Sequence, residues 1–320
     1  MSQTDKGIRA IDLFCGVGGS SWGARSAGCD IVAGFDLWEV AGQAYKSNFP
    51  EAEFVLGRLE SLDMATIKPR LGDVDLIIAS PECTNHSPAK GSGPRCEASK
   101  ATAFQVVRFA SEFAPRWLVI ENVVSMRRWS RYAEFIGQLH ELGYQTREQV
   151  LNSRDFGVPQ SRRRLFITCD REGQPPEILS KSRAKKTARS IIDWHGEYSY
   201  APLRTKRRAA NTLARAERGI QNLGDGEPFL VVYYGSDHAG GWQEMDVPLR
   251  TITTVDRFAI VRPTKDGHEM RMLQPRELQQ AMGMPKRFDL GDGTRRNRVH
   301  LIGNAVCPPV MQRVVKTLTA

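Results

Sequence analysis

Six short apolar runs, separated by stretches of helical spacing, constrain this chain more than any other feature in it. IRAIDLF from Ile8, DIVAGFD from Asp30, EAEFVLG from Glu51, DLIIAS from Asp75, RWLVIENV from Arg116 and RRLFITC from Arg163 read as buried strands. Between them, WEVAGQAYKSNF, ATAFQVVRFASEFA and YAEFIGQLHELG space their apolar residues for one face of a helix. Such alternation predicts an α/β fold with a parallel sheet covered by helices on both faces, and a ligand site outside the carboxyl ends of the strands. Over residues 173–269 the texture changes to Pro-Pro, a basic run and Gly-rich, short β-like pieces. That stretch is expected to form a small inserted domain with little helix–sheet regularity, dividing a main domain of residues 1–172 and 270–320.

The 320 residues suffice for one large core with a smaller unit attached. No apolar run approaches the roughly 18 residues of a membrane span, and MSQTDKGIRA lacks the apolar core of a signal peptide, so a soluble cytoplasmic protein is expected. A net charge of +9 favours a polyanionic partner, the more so because Lys and Arg crowd the stretch from Lys181 to Arg218 and recur in TRRNR. The six cysteines form no C-x-x-C pair and have no histidine at ligand spacing, which argues against a metal site or a disulfide framework.

IDLFCGVGGSSWGARSAG follows the first strand and opens a helix, the place where such sheets bind nucleotide-like ligands. Gly16, Gly18 and Gly19 are followed by Ser21 where a dinucleotide fingerprint has its third glycine, so a pyrophosphate cradle is disfavoured. Asp36 ends the next strand, about where an acid binds a ribose hydroxyl pair. Loop and acid together fit an adenosine-bearing cofactor without a diphosphate, such as S-adenosylmethionine.

Four further patches complete a recognisable order: PECTNHS around Cys83, Glu121-Asn122-Val123, Gln160-x-Arg162-x-Arg164, and LQPRELQQAMGMP with GNAV near the end. With DLFCGVGG they resemble the DNA (cytosine-5) methyltransferase family over nearly the whole chain except the insert. The resemblance implies a Rossmann-like S-adenosylmethionine-dependent sheet, an inserted target-recognition domain, and methylation of cytosine C5 in double-stranded DNA. It implies Cys83 as nucleophile toward C6, Glu121 as the acid at N3, and Arg164 with Arg162 at the flipped base. It places Phe14, Gly16, Gly18, Gly19, Asp36, Leu37, Arg58, Leu59, Pro81, Asn304 and Val306 around the cofactor, and Ser87, Lys90, Gln160 and Thr251 on DNA. A monomer is expected, and a cognate restriction endonuclease is a compatible partner.

The chemistry accounts for these residue types. C5 of cytosine is a poor nucleophile until a thiolate adds at C6, and that addition is easier when an acid holds a proton at N3. The base must also leave the duplex to be reached, and the Thr84–Ser99 stretch, rich in Gly, Ser and Pro, is expected to act as a lid over it. Five positions depart from the family: Glu82 stands where a second proline is usual, Arg58 where an acid reaches the adenine amino group, Leu37 where an aromatic is frequent, and Thr84 and His86 where Gln and an aromatic are usual. These departures leave three other readings open: a different donor, an RNA substrate, or a DNA-binding regulator without catalysis.

Overall fold

The structure, a computed structural model, describes residues 7–82, 97–180, 186–196, 198–234 and 240–320. Seven strands make the first sheet: β1 (Arg9–Leu13), β2 (Asp30–Asp36), β3 (Glu53–Leu56), β4 (Leu76–Ala79), β5 (Trp117–Asn122), β6 (Gln145–Asn152) and β7 (Arg163–Asp170). Their order is β3-β2-β1-β4-β5-β7-β6. The first five run parallel, and β7 is antiparallel to both its neighbours. Side chains alternate across the pleat, so Ile11 and Leu13 pack on the face that holds Val106, Phe109 and Phe113, whereas Ala10 packs with the opposite core. That opposite core includes Ala24, Ala44 and Tyr45, and also Met311 and Val314 of the C-terminal helix Pro308–Leu318. The chain end thus returns to the first domain, where Gln312 Nε2 donates to the Ser26 carbonyl at 2.7 Å.

All six apolar runs are strands of this sheet. The sequence reading did not include β6, and the reason is its place. It is an edge strand whose QTREQVLN residues are mostly half-buried, so no apolar alternation marks it. The helix Met64–Leu71 was also missed. It carries Pro69 inside, and its start is fixed by Asp63, whose side chain accepts from the Ala65 amide.

The later segment is more regular than expected. Strands β8 (Ala201–Pro202), β9 (Phe229–Val232), β10 (Trp242–Glu244), β11 (Phe258–Thr264) and β12 (Gly267–Met272) form an antiparallel sheet in the order β10-β9-β11-β12-β8. The helix Ala210–Leu223, within the basic run, contributes Ala216 to a small core with Phe229, Val231, Ala259 and Val261. Leu230, Val232, Phe258 and Ile260 point the other way and join the core beneath the first sheet. The second sheet is therefore fused to the first through shared apolar packing. Backbone bonds close the seam: the Ser161 amide donates to the Leu249 carbonyl at 2.7 Å, and the Leu249 amide to the Pro159 carbonyl at 2.9 Å. No helix among the described residues is long and apolar enough to cross a membrane.

Candidate active site

Strand order lays out the site. At the carboxyl edge of the parallel strands opens a cavity of about 420 Å³. Asp36, Leu37 and Trp38 line it after β2, Phe14, Cys15 and Gly16 after β1, Ser80, Pro81 and Glu82 after β4, and Glu121 on β5. Because β7 runs the other way, its beginning reaches the same edge and brings Arg162 and Arg164. His300, Leu301 and Asn304 of the helix Arg295–Asn304, with Ala305 and Val306 after it, form the facing wall. The β2 and β5 ends stand three strand spacings apart, about 14 Å. The cavity therefore has two ends.

At the β2 end the glycine loop and Asp36 are tied together. The Gly16 amide donates to one carboxylate oxygen of Asp36 at 2.8 Å, and the Trp38 amide to the other at 2.9 Å. Burial raises the Asp36 pKa, and these amides oppose the rise. Below the loop Asp12 is fully buried and accepts from the Ser21 amide at 3.0 Å and the Ser21 hydroxyl at 2.6 Å. Burial pushes its pKa up to about 7. Gly18 turns the chain at φ +91°, a conformation that favours glycine. A Cβ at Gly19 would lie 2.4 Å from the Val306 carbonyl oxygen, so the loop and the GNAV segment approach backbone to backbone.

The other end carries the acid. Glu121 is buried, and its Oε1 lies 3.1 Å from Arg164 Nε. Burial raises its pKa, with Arg164 and then Arg162 pulling the other way. The neighbouring Asn122 donates from Nδ2 to the Pro81 carbonyl at 3.0 Å and accepts from the Val123 amide. It thereby fixes the strand end that leads into Cys83. Glu82 is exposed on the cavity side, and its carboxylate accepts from the Ser99 hydroxyl. Arg162 is buried, donating to the carbonyls of Ile252 at 3.0 Å, Gly303 at 2.9 Å and Ala305 at 3.2 Å. Its guanidinium braces the wall between the two sheets.

Of the expected residues, Phe14, Gly16, Asp36, Leu37, Pro81, Glu121, Arg162, Arg164, Asn304 and Val306 line one cavity. Gly18 and Gly19 shape the loop from behind. Arg58 instead points outward, 71% exposed and 3.4 Å from Glu60, and Leu59 is buried with its carbonyl accepting from Arg108. Gln160, expected on DNA, has no exposed surface. Its amide donates to the Ala281 carbonyl and accepts from the Ile252 amide, because it sits in the seam between the sheets. Thr251 is half-buried and donates to the Ser161 carbonyl. Cys83, Ser87 and Lys90, with most of the expected Thr84–Ser99 lid, lie outside the described residues. The sequence reading missed Trp38, Ser80 and His300 as wall residues. Trp38 had a signal, since it puts an aromatic one residue later than the position Leu37 fills.

The parallel sheet, the glycine loop and the acid at opposite ends of one cavity define an α/β methyltransferase of Rossmann-like type. The chain belongs to the C-5 cytosine-specific DNA methylase family, whose model it matches over residues 8–320. It is 32% identical over 269 residues to the type II methyltransferase M.HgiDI of Herpetosiphon aurantiacus, covering 79% of this chain and 82% of that one. It is 35% identical over 176 residues to M.DdeI of Desulfomicrobium norvegicum, covering 52% of this chain and 42% of that one. The Entamoeba histolytica methyltransferase EhMeth shares the fold with a TM-score of 0.68 at 19% identity, covering 98% of each chain.

Proposed function

We propose that the protein transfers a methyl group from S-adenosylmethionine to C5 of a flipped cytosine in double-stranded DNA. The observation that carries this reading is the single cavity with a glycine loop and Asp36 at one end and buried Glu121 with Arg164 at the other. Its volume of about 420 Å³ falls in the range of small-molecule sites. The residues fit a sulfonium cofactor. Three carboxylates, Asp36, Glu82 and Glu121, line the space, and among the described residues the buried Ser80 hydroxyl has no hydrogen-bond partner. Phe14, Gly16, Asp36 and Asn304 would hold the group, which supplies an electrophilic methyl when bound.

The protein's own part follows from position. Cys83 comes directly after the strand end that Asn122 holds, and as thiolate it adds to C6. Glu121, kept protonated more readily by burial, shares its proton with N3 and draws charge from the ring as the thiolate adds. Arg164 offers its guanidinium beside Glu121 and orients the base. Loss of the C5 proton after methyl transfer expels the thiolate. The segment of residues 173–269 reads the DNA sequence in this proposal, and the +9 charge grips the phosphates. The cytoplasm is the compartment where this substrate and cofactor meet.

Mass spectrometry of nucleosides tests the proposal, using mixed-sequence duplex DNA incubated with the protein and S-adenosylmethionine. We expect 5-methylcytosine from the unmutated protein and none from Cys83→Ala. Tight DNA binding without any modified cytosine, on substrates covering all short sequence contexts, would overturn it in favour of a binding role.

A further inference from the structure

We infer that His300 is a cofactor-positioning residue at the adenosine end of the cavity, an inference that rests on the S-adenosylmethionine reading above. Two observations place it there. The His300 ring lies 5.0 Å from the Trp38 ring in an edge-on arrangement at 67°, and both residues line the cavity. Trp38 follows Asp36 by two residues, so the pair stands at the β2 end, about three strand spacings from Glu121. A methyl donor must present its reactive end toward the base at Glu121, which leaves the Asp36 end for its adenosine.

The chemistry of that end gives His300 something to do. Phe14, Leu37 and Trp38 offer apolar surface, and both Asp36 oxygens already accept from backbone amides. An imidazole adds a hydrogen-bonding edge on the facing wall. In its neutral form it has one N–H donor and one lone pair, suited to a ribose hydroxyl or an adenine edge. Partial burial, with Arg296 nearby, lowers its pKa and favours that neutral form.

Its mounting is firm. His300 lies four residues before Asn304, so the two share a helix face toward the cavity. The same helix is anchored at its start by Arg295, which pairs with Asp256 at 2.9 Å and donates to the Leu273 carbonyl. Thr294 caps it by accepting from the Asn297 amide. Exposed at the rim of the cavity, the imidazole stands where a bound adenosine would cover it.

Calorimetric titration of S-adenosylmethionine and S-adenosylhomocysteine into the unmutated protein and three variants tests this, with duplex DNA affinity measured alongside. His300→Ala and His300→Phe are expected to weaken both ligands about tenfold. His300→Gln, which keeps a donor and an acceptor, is expected to recover most of the loss, and DNA affinity is expected to stay within about twofold throughout. Unchanged ligand affinity in His300→Ala would overturn the inference. So would full recovery by His300→Phe, which would leave only packing on Trp38, or an equal loss of DNA affinity, which would make the role structural. An unmutated protein that binds neither ligand would overturn the cofactor reading itself, and this inference with it.

Discussion

Glu121 and Arg164 meet at 3.1 Å in a buried place, and the balance between burial and the cation decides how the acid behaves. Burial favours the neutral carboxyl; Arg164 and Arg162 favour the carboxylate. The net direction is upward. The group therefore keeps its proton to higher pH than an exposed glutamate, and turnover that needs the proton falls as pH rises through the raised pKa. Glu121→Gln is expected to lower kcat about 10² to 10⁴-fold and to flatten that alkaline decline, as a pH–rate profile would check. The flank of this site was less legible than the acid itself. Trp38 and His300 are 262 positions apart in the chain, so no local pattern pairs them. Gln160 and Arg162 read as polar residues for a ligand. The structure gives Gln160 the Ala281 carbonyl, the Met282 sulfur and the Ile252 amide, and gives Arg162 three carbonyls, because they lie where the two sheets meet.

Between elements, the second sheet is held to the helix Pro275–Ala281 by a buried ion pair. Arg271 at the end of β12 reaches the two Glu277 oxygens at 2.7 and 2.8 Å. Glu277 also accepts from the amides of Gln274 and Asp193, closing a capping box at the helix start. Removing one partner would leave a charge buried without its counterion. Arg271→Ala is expected to destabilise the protein by about 3–5 kcal/mol, which urea unfolding would measure, whereas exposed pairs such as Arg58 with Glu60 contribute little. The strands that read as apolar runs were legible because burial on both faces leaves a dense signal. The edge strand β6 and the helix Ala210–Leu223 were not, since a half-exposed element can carry any mix of polar residues.

Across the whole molecule, the cavity runs along the carboxyl edge of the first sheet from β2 to β7, and the second sheet shares the apolar core beneath it. On the proposed function, a net charge of +9 would make phosphate contact the main source of grip on DNA. Duplex affinity is expected to fall by about 10³ or more between 50 and 200 mM salt if the protein engages six or more phosphates, as fluorescence anisotropy would read. A slope near zero would mean that the basic stretches face away from the DNA. The sequence by itself determined the parallel sheet, the glycine loop with Asp36, and Glu121 and Arg164 at a strand edge. The sheet follows from local periodicity and the loop from neighbouring residues, whereas Glu121 and Arg164 are named by the resemblance of their motifs to the family. Only the tertiary structure decided that Arg58 leaves the pocket, that Trp38 and His300 form one rim, that Asn122 holds the strand end before Cys83, and that Gln160 is a seam residue. The Trp38–His300 contact and the bonds of Asn122 and Gln160 join groups distant in the chain, which meet only once the elements have packed.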